Sequence, residues 1–403
     1  MRRTLYLIAA VGCALGAATA ASGGGTPGVT SKSVLIGGTT PITGPASAYS
    51  SVARGAAAYF KYVNAHGGVN GRKIEYRYYD DGYDPAKTTE RTRQLVQQDH
   101  VFAIFNTLGT ATNQAIRPYL NALHVPHLFV ASGASTWGKE YKKYPWTIGY
   151  QPSYYAEATI YGRYLVRVKP KAKIAVLYQN DDYGQELLKG LRHGLGKKAK
   201  QIAEKQSYDV TDADVRSQIA KLRSSRASVL MIFATPKFAI QAYNFSHQLG
   251  WRPLSIVNAV SSAANIMQLA SQVSAKTQTE GSISIVYLKD PTDPRWNNDP
   301  GLKLYRQVMK KYNPGGNPND VYNVYGMSAA YTMVDALKRA GKSLTRAAIM
   351  KAVTHLNEPR DPFVLPGIAI RTTPDDRFPV AQAKLERYHN GRWILFGGVV
   401  SVR

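Results

Sequence analysis

The segment TTPITGPASAYSSVARGAAAYF, Thr39–Phe60, decides the fold, because it contains the end of a strand, a loop and the start of a helix. It continues the apolar run VLIGG, and its loop gives way near Val52 to an alanine-rich pattern typical of a helix. After that helix, the segment HGGVNGRKI, His66–Ile74, supplies a glycine-rich stop and a turn into the next apolar run. A strand, a helix and a second strand therefore follow one another, as in α/β proteins.

The same alternation of short apolar runs and helical patterns continues through most of the 403 residues. It predicts an α/β fold with largely parallel sheets, and the length predicts two lobes, since one core rarely serves so long a chain. The closing segment predicts hairpin-like strands. The other predicted strands are Val34–Gly37, Lys73–Tyr79, Val101–Phe105, His127–Val130, Lys173–Tyr178, Gln201–Tyr208, Ser228–Phe233, Leu254–Val257 and Gly281–Val286.

The first twenty residues, Met1–Ala20, predict a secretory signal peptide with early arginines, a short apolar run and an A-x-A cleavage site at Ala18–Ala20. Cys13, the only cysteine, lies within it, and lipid anchoring at Cys13 is the alternative. Residues 21–31 are rich in Gly and Ser and predict a flexible linker. The protein is therefore expected outside the cytoplasmic membrane, in the periplasm or cell envelope.

The chain is strongly basic, with 51 Lys and Arg against 26 Asp and Glu. Such a charge would suit a nucleic-acid partner, but the positive residues are scattered and form no run longer than KPKAK or KKAK. An exported protein also meets no nucleic acid routinely. We therefore expect no nucleic-acid partner, and interpret the charge as a surface that faces an anionic membrane or wall.

Three loops after predicted strands share small residues, hydroxyl groups and a helix start. They are Thr43–Tyr49, Asn106–Thr112 and Ala131–Trp137. In an open parallel sheet, ligands bind beyond the carboxyl ends of the strands. Because a helix N-terminus has unpaired N–H groups and partial positive charge, such loops can hold a carboxylate without a formal cation. Helix capping explains any one loop, whereas three successive loops favour a small-molecule site.

The sequence gives little support to an enzymatic function. It has no P-loop, no G-x-G-x-x-G after a strand, no H-E-x-x-H and no G-x-S-x-G. The eight histidines form no group with His, Cys or Asp at metal-ligand spacing. We therefore predict no catalytic residue, no metal and no cofactor.

Several motifs together resemble one known family. NAHGGVNGRKIE and DDGYDPAKT, in that order and at that distance, are specific features, and HVPHLFVASGAS, NDDYGQ and YNVYGMSAAYTMVDALKRAG extend the likeness over nearly the whole exported chain. The sequence resembles the extracytoplasmic solute-binding proteins of branched-chain amino acid ABC transporters, which are related to the leucine/isoleucine/valine-binding proteins.

The resemblance implies a type I periplasmic-binding-protein fold, in which two doubly wound lobes joined by three crossings close on a ligand. Lobe one would comprise residues 32–147 plus 288–360, and lobe two residues 148–287 plus 361–403. The crossings would lie near Trp146–Tyr150, Ser282–Tyr287 and Glu358–Val364. ABC permease subunits would be the membrane partners, and a monomer is expected.

The resemblance also implies the ligand contacts. Tyr49 stands where the family packs an aromatic residue on the ligand, and Tyr183 matches a tyrosine of lobe two. The expected ligand is a small carboxylate solute. The donors to its carboxylate would be Gly109, Thr110, Gly133, Ala134 and Ser135. Pro236 and Asn258, in the later loops of lobe two, complete the expected set.

One departure from the family bears on the ligand. Amino-acid binders of this family usually place an acidic residue in the later loops of lobe two to hold the ammonium group, but here these loops read ATPKF and NAVSSAAN. A buried ammonium without an acidic partner is costly. The ligand is then an amine-free aromatic acid, or a branched-chain amino acid whose amine meets Asp181 or Asp182. A ligand-sensing module of the same fold, coupled to a receptor or regulator, is the alternative function.

Overall fold

The computed structural model of the protein describes residues 25–401. The predicted signal peptide Met1–Ala20, with Cys13, and the first four residues of the predicted linker lie outside this range. Within it, no helix combines the length and the apolar character needed to cross a membrane.

The first sheet contains five parallel strands, and all of them come from the first 149 residues of the chain. Their spatial order is β2-β1-β3-β4-β5. The strands are β1 (Ser33–Thr40), β2 (Lys73–Asp80), β3 (Ala103–Phe105), β4 (His127–Val130) and β5 (Thr147–Gly149). The helices between them are α1 (Ser51–Ala65), α2 (Pro85–Arg93), α3 (Thr110–Ala122) and α4 (Thr136–Lys139).

The second sheet contains seven strands in the order β14-β13-β10-β9-β8-β6-β7, and its last two strands form an antiparallel hairpin at one edge. The strands are β6 (Ile174–Gln179), β7 (Ile202–Tyr208), β8 (Val229–Phe233), β9 (Leu254–Val257), β10 (Ile283–Val286), β13 (Gln382–His389) and β14 (Arg392–Ser401). The associated helices are α5 (Tyr154–Val168), α6 (Asp182–Leu195), α7 (Arg216–Ser224), α8 (Pro236–Gln248), α9 (Ala264–Ser274) and α10 (Lys276–Thr279).

After β10 the chain returns to the first sheet and covers it with further helices. These are α11 (Pro300–Tyr312), α12 (Val321–Ala340) and α13 (Arg346–Val353), followed by the short pair β11 (Asn357–Glu358) and β12 (Ile370–Arg371). α12 packs closely along α1. The approach is so close that a Cβ atom at Gly326 would lie 2.0 Å from the carbonyl oxygen of Val52. Gly326 thus permits a helix contact that no larger residue would allow.

Polar side chains connect the segments that pass between the sheets. The Tyr150 hydroxyl lies 2.8 Å from the Ser328 hydroxyl, which in turn donates to Asp361 at 3.1 Å. On the neighbouring segment, the Lys289 ammonium donates to the Pro362 carbonyl oxygen at 2.8 Å and forms an ion pair with Asp299. The three crossings are therefore held to one another, and each is fixed relative to α12 or α11.

The predicted α/β fold with largely parallel sheets is confirmed, and so is the closing hairpin. The nine predicted strands all occur, with ends shifted by at most three residues, whereas the short β5 was not predicted as a strand. β5 extends to Gly149 in the first sheet, so the first crossing starts after Gly149 and not at residue 147. With this adjustment, we propose that the lobes divide as the resemblance implies, since the first sheet and α11–α13 form one body and the second sheet the other.

Candidate functional site

A cavity lies between the two lobes and, with its opening to solvent included, encloses about 1020 Å³. Residues from both lobes form its wall, and most of them are aromatic or aliphatic. The aromatic wall residues are Tyr49, Tyr83, Tyr154, Tyr183, Tyr287, Tyr322, Tyr325 and Trp393.

Tyr49 lies on the wall, in a short 3-10 turn between β1 and α1. Its ring packs edge-on against Tyr322, with ring centroids 5.1 Å apart, and the Tyr322 hydroxyl donates to the Val260 carbonyl oxygen of the second lobe at 2.7 Å. The Tyr49 side chain is only 5% exposed, and its buried hydroxyl has no partner in normal hydrogen-bond geometry. Burial raises the pKa of this hydroxyl well above its ordinary value, so it is a neutral polar group beside the cavity.

Tyr183 and Asn258 form a pair on the side of the second lobe. Tyr183 lies on the wall near the start of α6 and packs edge-on against Tyr154, with centroids 4.9 Å apart. Asn258 does not reach the wall. When its amide is oriented so that the nitrogen faces the carbonyl oxygens of Ile232 and Ala234, it also hydrogen-bonds the Tyr183 hydroxyl at 3.1 Å. Asn258 therefore positions Tyr183 from behind.

The start of α3 reaches the cavity wall at Gly109, although the Gly109 N–H itself donates to the Ala131 carbonyl oxygen at 3.1 Å. Gly109 lines the cavity with a φ of 105°, and a Cβ atom there would lie 2.7 Å from the Tyr83 ring. The N-terminus of α3 has no side-chain cap and no acidic residue in its first turn. Thr110 is turned away from the cavity wall, and its hydroxyl lies 2.7 Å from the Ser132 hydroxyl. The uncapped helix end thus presents partial positive charge next to the cavity.

Gly133, Ala134 and Ser135 do not line the cavity, and the protein itself uses the polar groups of this loop. The Gly133 carbonyl oxygen accepts from the Tyr154 N–H at 2.7 Å, and the Ala134 N–H donates to the Ser132 hydroxyl at 3.2 Å. The Ser135 N–H donates to Glu186 of α6 at 2.9 and 3.0 Å. The sequence predicts a ligand carboxylate at this loop, whereas the carboxylate bound there in the structure belongs to Glu186 of the protein.

Pro236 is also absent from the wall, because it is the first residue of α8 and its neighbour Thr235 faces the cavity instead. The two acids expected as alternative amine partners are engaged elsewhere. Asp181 caps α6 by accepting from the Gly184 N–H at 3.1 Å, and Asp182 accepts from Gln114 of α3 at 2.7 Å. Of the nine residues predicted from sequence, the cavity brings together Tyr49, Gly109 and Tyr183.

Glu157 lies on the cavity wall, although the sequence analysis did not predict it as a site residue. It lies in the first turn of α5, is 2% exposed, and accepts at Oε1 from the Ala259 N–H at 2.7 Å and from the Tyr161 hydroxyl at 2.8 Å. Burial raises the pKa of Glu157 to about 7. Among residues 25–401, no group donates to its Oε2 atom. An acid in a first helical turn normally indicates only a favourable helix dipole, so the sequence alone gave no reason to select it.

Two more carboxylates, Glu386 of β13 and Asp290 after β10, lie on the wall of the same cavity. Burial, with the nearby charge of Asp290, raises the pKa of Glu386 well above its ordinary value. Burial likewise raises the pKa of Asp290, which accepts from the Thr292 N–H at 2.8 Å. No Lys, Arg or His of the described chain lines this cavity.

Tyr83 and Tyr154 were also missed, although one signal could have found Tyr83. It follows β2 directly, and the carboxyl ends of parallel strands meet at one edge of a sheet. The cluster DDGYD, Asp80–Asp84, forms a turn and a helix cap, in which Asp84 accepts from the Ala86 N–H at 2.7 Å. No group of three or more His, Cys, Asp or Glu in the described part of the chain is arranged to hold a metal ion.

Comparisons with known proteins agree with this architecture. The sequence profile described as "Periplasmic binding protein" matches residues 33–388. "Leu/Ile/Val-binding protein homolog 1" of Brucella suis biovar 1 is 27% identical over 355 residues, which are 85% of this chain and 86% of that protein. "Leu/Ile/Val-binding protein homolog 7" of Brucella abortus is 24% identical and covers 80% of this chain and 81% of its own length.

Solved structures with the same fold include proteins of different ligand class. A branched chain amino acid ABC transporter protein from Thermus thermophilus with bound valine has a TM-score of 0.80 at 19% identity, over 92% of this chain and 97% of its own. A fatty acid ABC transporter substrate-binding protein from Thermomonospora curvata has a TM-score of 0.77 at 20% identity, over 94% and 95%. Such low identities establish the fold alone.

Proposed function

The chain belongs to the periplasmic binding protein family, and from this membership we propose that it captures a small carboxylate solute outside the cytoplasmic membrane and delivers it to an ABC permease. The proposal includes export through the segment Met1–Ala20, action as a monomer and no enzymatic activity. The observation that carries it is the cavity between the lobes, whose wall takes residues from both.

Direct contacts between the lobes favour a capture mechanism. Tyr322 of the first lobe donates to the Val260 carbonyl oxygen at 2.7 Å, and Gln114 donates to Asp182 at 2.7 Å. A solute that bonds both walls adds to these contacts only when the lobes are together. Ligand binding therefore shifts the population toward the closed state, which is the state a permease can distinguish.

The wall chemistry favours a carboxylate that also carries an amine. The uncapped end of α3 at Gly109 can accept the carboxylate, and Glu157 offers an unoccupied oxygen to an ammonium group. Tyr49 and Tyr183 can pack on an apolar side chain. An acid on α5 removes the objection raised by the acid-free loops, so a branched-chain amino acid is the first candidate. Because the wall is rich in aromatic residues, an amine-free aromatic acid is the second candidate ligand.

Thermal-shift screening of the exported protein, followed by calorimetry, tests the proposal. One panel contains leucine, isoleucine and valine, and the other contains amine-free aromatic carboxylates. A bound solute raises the melting temperature by mass action. We expect amino acids to stabilise the protein and Glu157→Gln to abolish most of that effect, whereas Glu75→Gln, on the exposed face of β2, should not. Stabilisation by amine-free acids alone would select the second candidate, and binding of neither panel would contradict the proposed ligand class.

A further inference from the structure

The cavity has a second acidic group, formed by Asp290 and Glu386. Both lie on the wall together with Trp393, whose indole N–H donates to the Ser262 carbonyl oxygen at 2.6 Å. Glu386 is 3% exposed and occupies an interior position of β13, opposite Ser284 of β10. The Tyr161 hydroxyl, which donates to Glu157 at 2.8 Å, lies 3.4 Å from the hydroxyl of Ser284, the residue opposite Glu386, so Tyr161 and Ser284 connect the two acidic groups.

The charge of this wall is opposite to that of the molecule. The chain has 51 Lys and Arg and only 26 Asp and Glu, yet the three charged residues on the described wall are all acids. The nearest cations have other partners. Arg295 donates to Asp293 at 2.8 Å, and Lys289 donates to Asp299 at 2.8 Å. The basic surface therefore does not extend into the cavity.

The helix dipole near Asp290 and Glu386 does not balance these two acids. α9 begins at Ala264, next to the wall residue Ala263, and its N-terminus has no side-chain cap. A helix N-terminus carries the equivalent of about half a positive charge, which offsets part of one carboxylate. Ser262 lies close to Glu386, but its hydroxyl donates to the Ala259 carbonyl oxygen at 3.1 Å. The group formed by Asp290 and Glu386 therefore stays short of positive charge.

Buried acids outside the cavity accept at least one hydrogen bond, although Oε1 of Glu358 has no partner. Asp361 accepts from the Phe363 N–H at 2.7 Å and from Ser328, and Glu358 accepts from Thr332 at 2.8 Å. Glu386 accepts no hydrogen bond of normal geometry from any residue in the range 25–401, although its carboxyl group is on a cavity wall. A buried carboxyl group without a protein partner at a ligand cavity is suited to a ligand cation.

We propose that the cavity selects a solute with a second positively charged nitrogen, which pairs with Asp290 and Glu386 while the amino-acid group meets the start of α3 and Glu157. A basic amino acid with a side-chain amine has this chemistry and would replace the branched-chain amino acids as the preferred solute, with the latter binding more weakly. Trp393 and Tyr287, both on the wall, can add a favourable cation–π contact. The inference rests on the proposed function, because it places the second charge in the same solute cavity.

A matched pair of ligands tests the inference. Lysine and norleucine share the amino-acid group and the straight four-carbon side chain, and differ by the terminal ammonium. Calorimetry on the exported protein should give at least about tenfold tighter binding of lysine, because a site built for a polar group rejects the analogue that lacks it. Glu386→Gln should reduce the lysine-to-norleucine preference by at least about fivefold, and Glu75→Gln should leave it unchanged.

The outcomes separate this inference from the proposed function. Equal or tighter binding of norleucine would overturn the second cationic subsite and leave solute capture intact. Binding of neither ligand, with amine-free acids bound instead, would overturn the inference and select the other ligand class. If Glu386→Gln does not fold, Asp290→Asn serves as the variant, and an unchanged preference in a folded variant would also overturn the assignment.

Discussion

The Ser135 N–H donates to both carboxylate oxygens of Glu186, at 2.9 and 3.0 Å, and so joins a loop of the first lobe to a helix of the second. Burial raises the pKa of Glu186, while the hydrogen bonds from Ser135 oppose this shift. The contact lies outside the cavity wall. A carboxylate of the protein therefore bridges the lobes independently of any solute.

Glu186→Gln should weaken solute binding by roughly three- to tenfold, because it removes about 1 kcal/mol from the closed state without changing the wall. Small-angle scattering of the unliganded protein should show a larger radius of gyration for the variant. Glu75→Gln is the control, since it removes an exposed acid of the first lobe. Equal affinity and equal scattering for Glu186→Gln would mean that the contact does not favour closure.

Tyr49→Ala should weaken solute binding by about ten- to a hundredfold while the fold is kept, because the ring forms part of the wall and packs on Tyr322. Tyr49→Phe should retain most of the affinity if the ring, and not the unpaired hydroxyl, makes the contact. Calorimetry gives the affinities and circular dichroism confirms folding. Unchanged affinity of a folded Tyr49→Ala protein would remove this residue from the site.

Asn258→Ala should reduce affinity although the side chain does not reach the cavity, because it releases the Tyr183 hydroxyl. The loss of buried hydrogen bonds should also lower stability by about 1–3 kcal/mol. A double-mutant cycle with Tyr183→Phe separates the two roles, since residues that act through one another are not additive. Full additivity of the two affinity losses would contradict a positioning role for Asn258.

Solute binding should release protons near neutral pH if an ammonium group meets Glu157. The pKa of the buried Glu157 carboxyl is raised to about 7, and a neighbouring cation would lower it again. Affinity should therefore fall as the pH drops below about 7, by up to about tenfold per pH unit. Calorimetry in two buffers of different ionisation enthalpy measures the number of protons released. The Glu157→Gln variant should release fewer protons, because the contribution of Glu157 is absent.

The same group contributes to the stability of the unliganded protein with a defined sign. Because the folded-state pKa of Glu157 is raised, the folded protein binds more protons than the unfolded chain between the ordinary pKa of a glutamate and about 7. The contribution of Glu157 to stability is thus present at low pH and is lost as the pH rises to about 7. Melting curves should show a weaker decline over this range for Glu157→Gln than for the unmodified protein.

Local sequence signals predicted the elements of the fold well. Strand periodicity and glycine-rich helix stops identified β1 to β4 and β6 to β10, and the order of short strands and helices predicted the parallel sheets. β5 escaped because three residues are too short for a recognisable pattern.

The candidate site could be predicted only in part. Tyr49, Gly109 and Tyr183 follow strand ends in the sequence and reach the cavity, whereas Gly133–Ser135, Pro236 and Asn258 also follow strand ends and do not line it. The three wall carboxylates come from a helix, a crossing and a closing strand. Their local patterns indicate a first helical turn, a hydrogen-bonded turn and a β-strand, and none of these points to a ligand.

The sequence by itself determined the two-lobed α/β architecture, because strand and helix patterns depend on neighbouring residues along the chain. Only the tertiary structure decided which polar groups face the solute, because burial and pairing depend on residues far apart in sequence. Ser135 lies at the edge expected for ligand donors, yet Glu186, 51 positions later, takes its N–H. Glu157 and Glu386 became candidates for binding cations because folding places them on a wall that no Lys, Arg or His of residues 25–401 reaches.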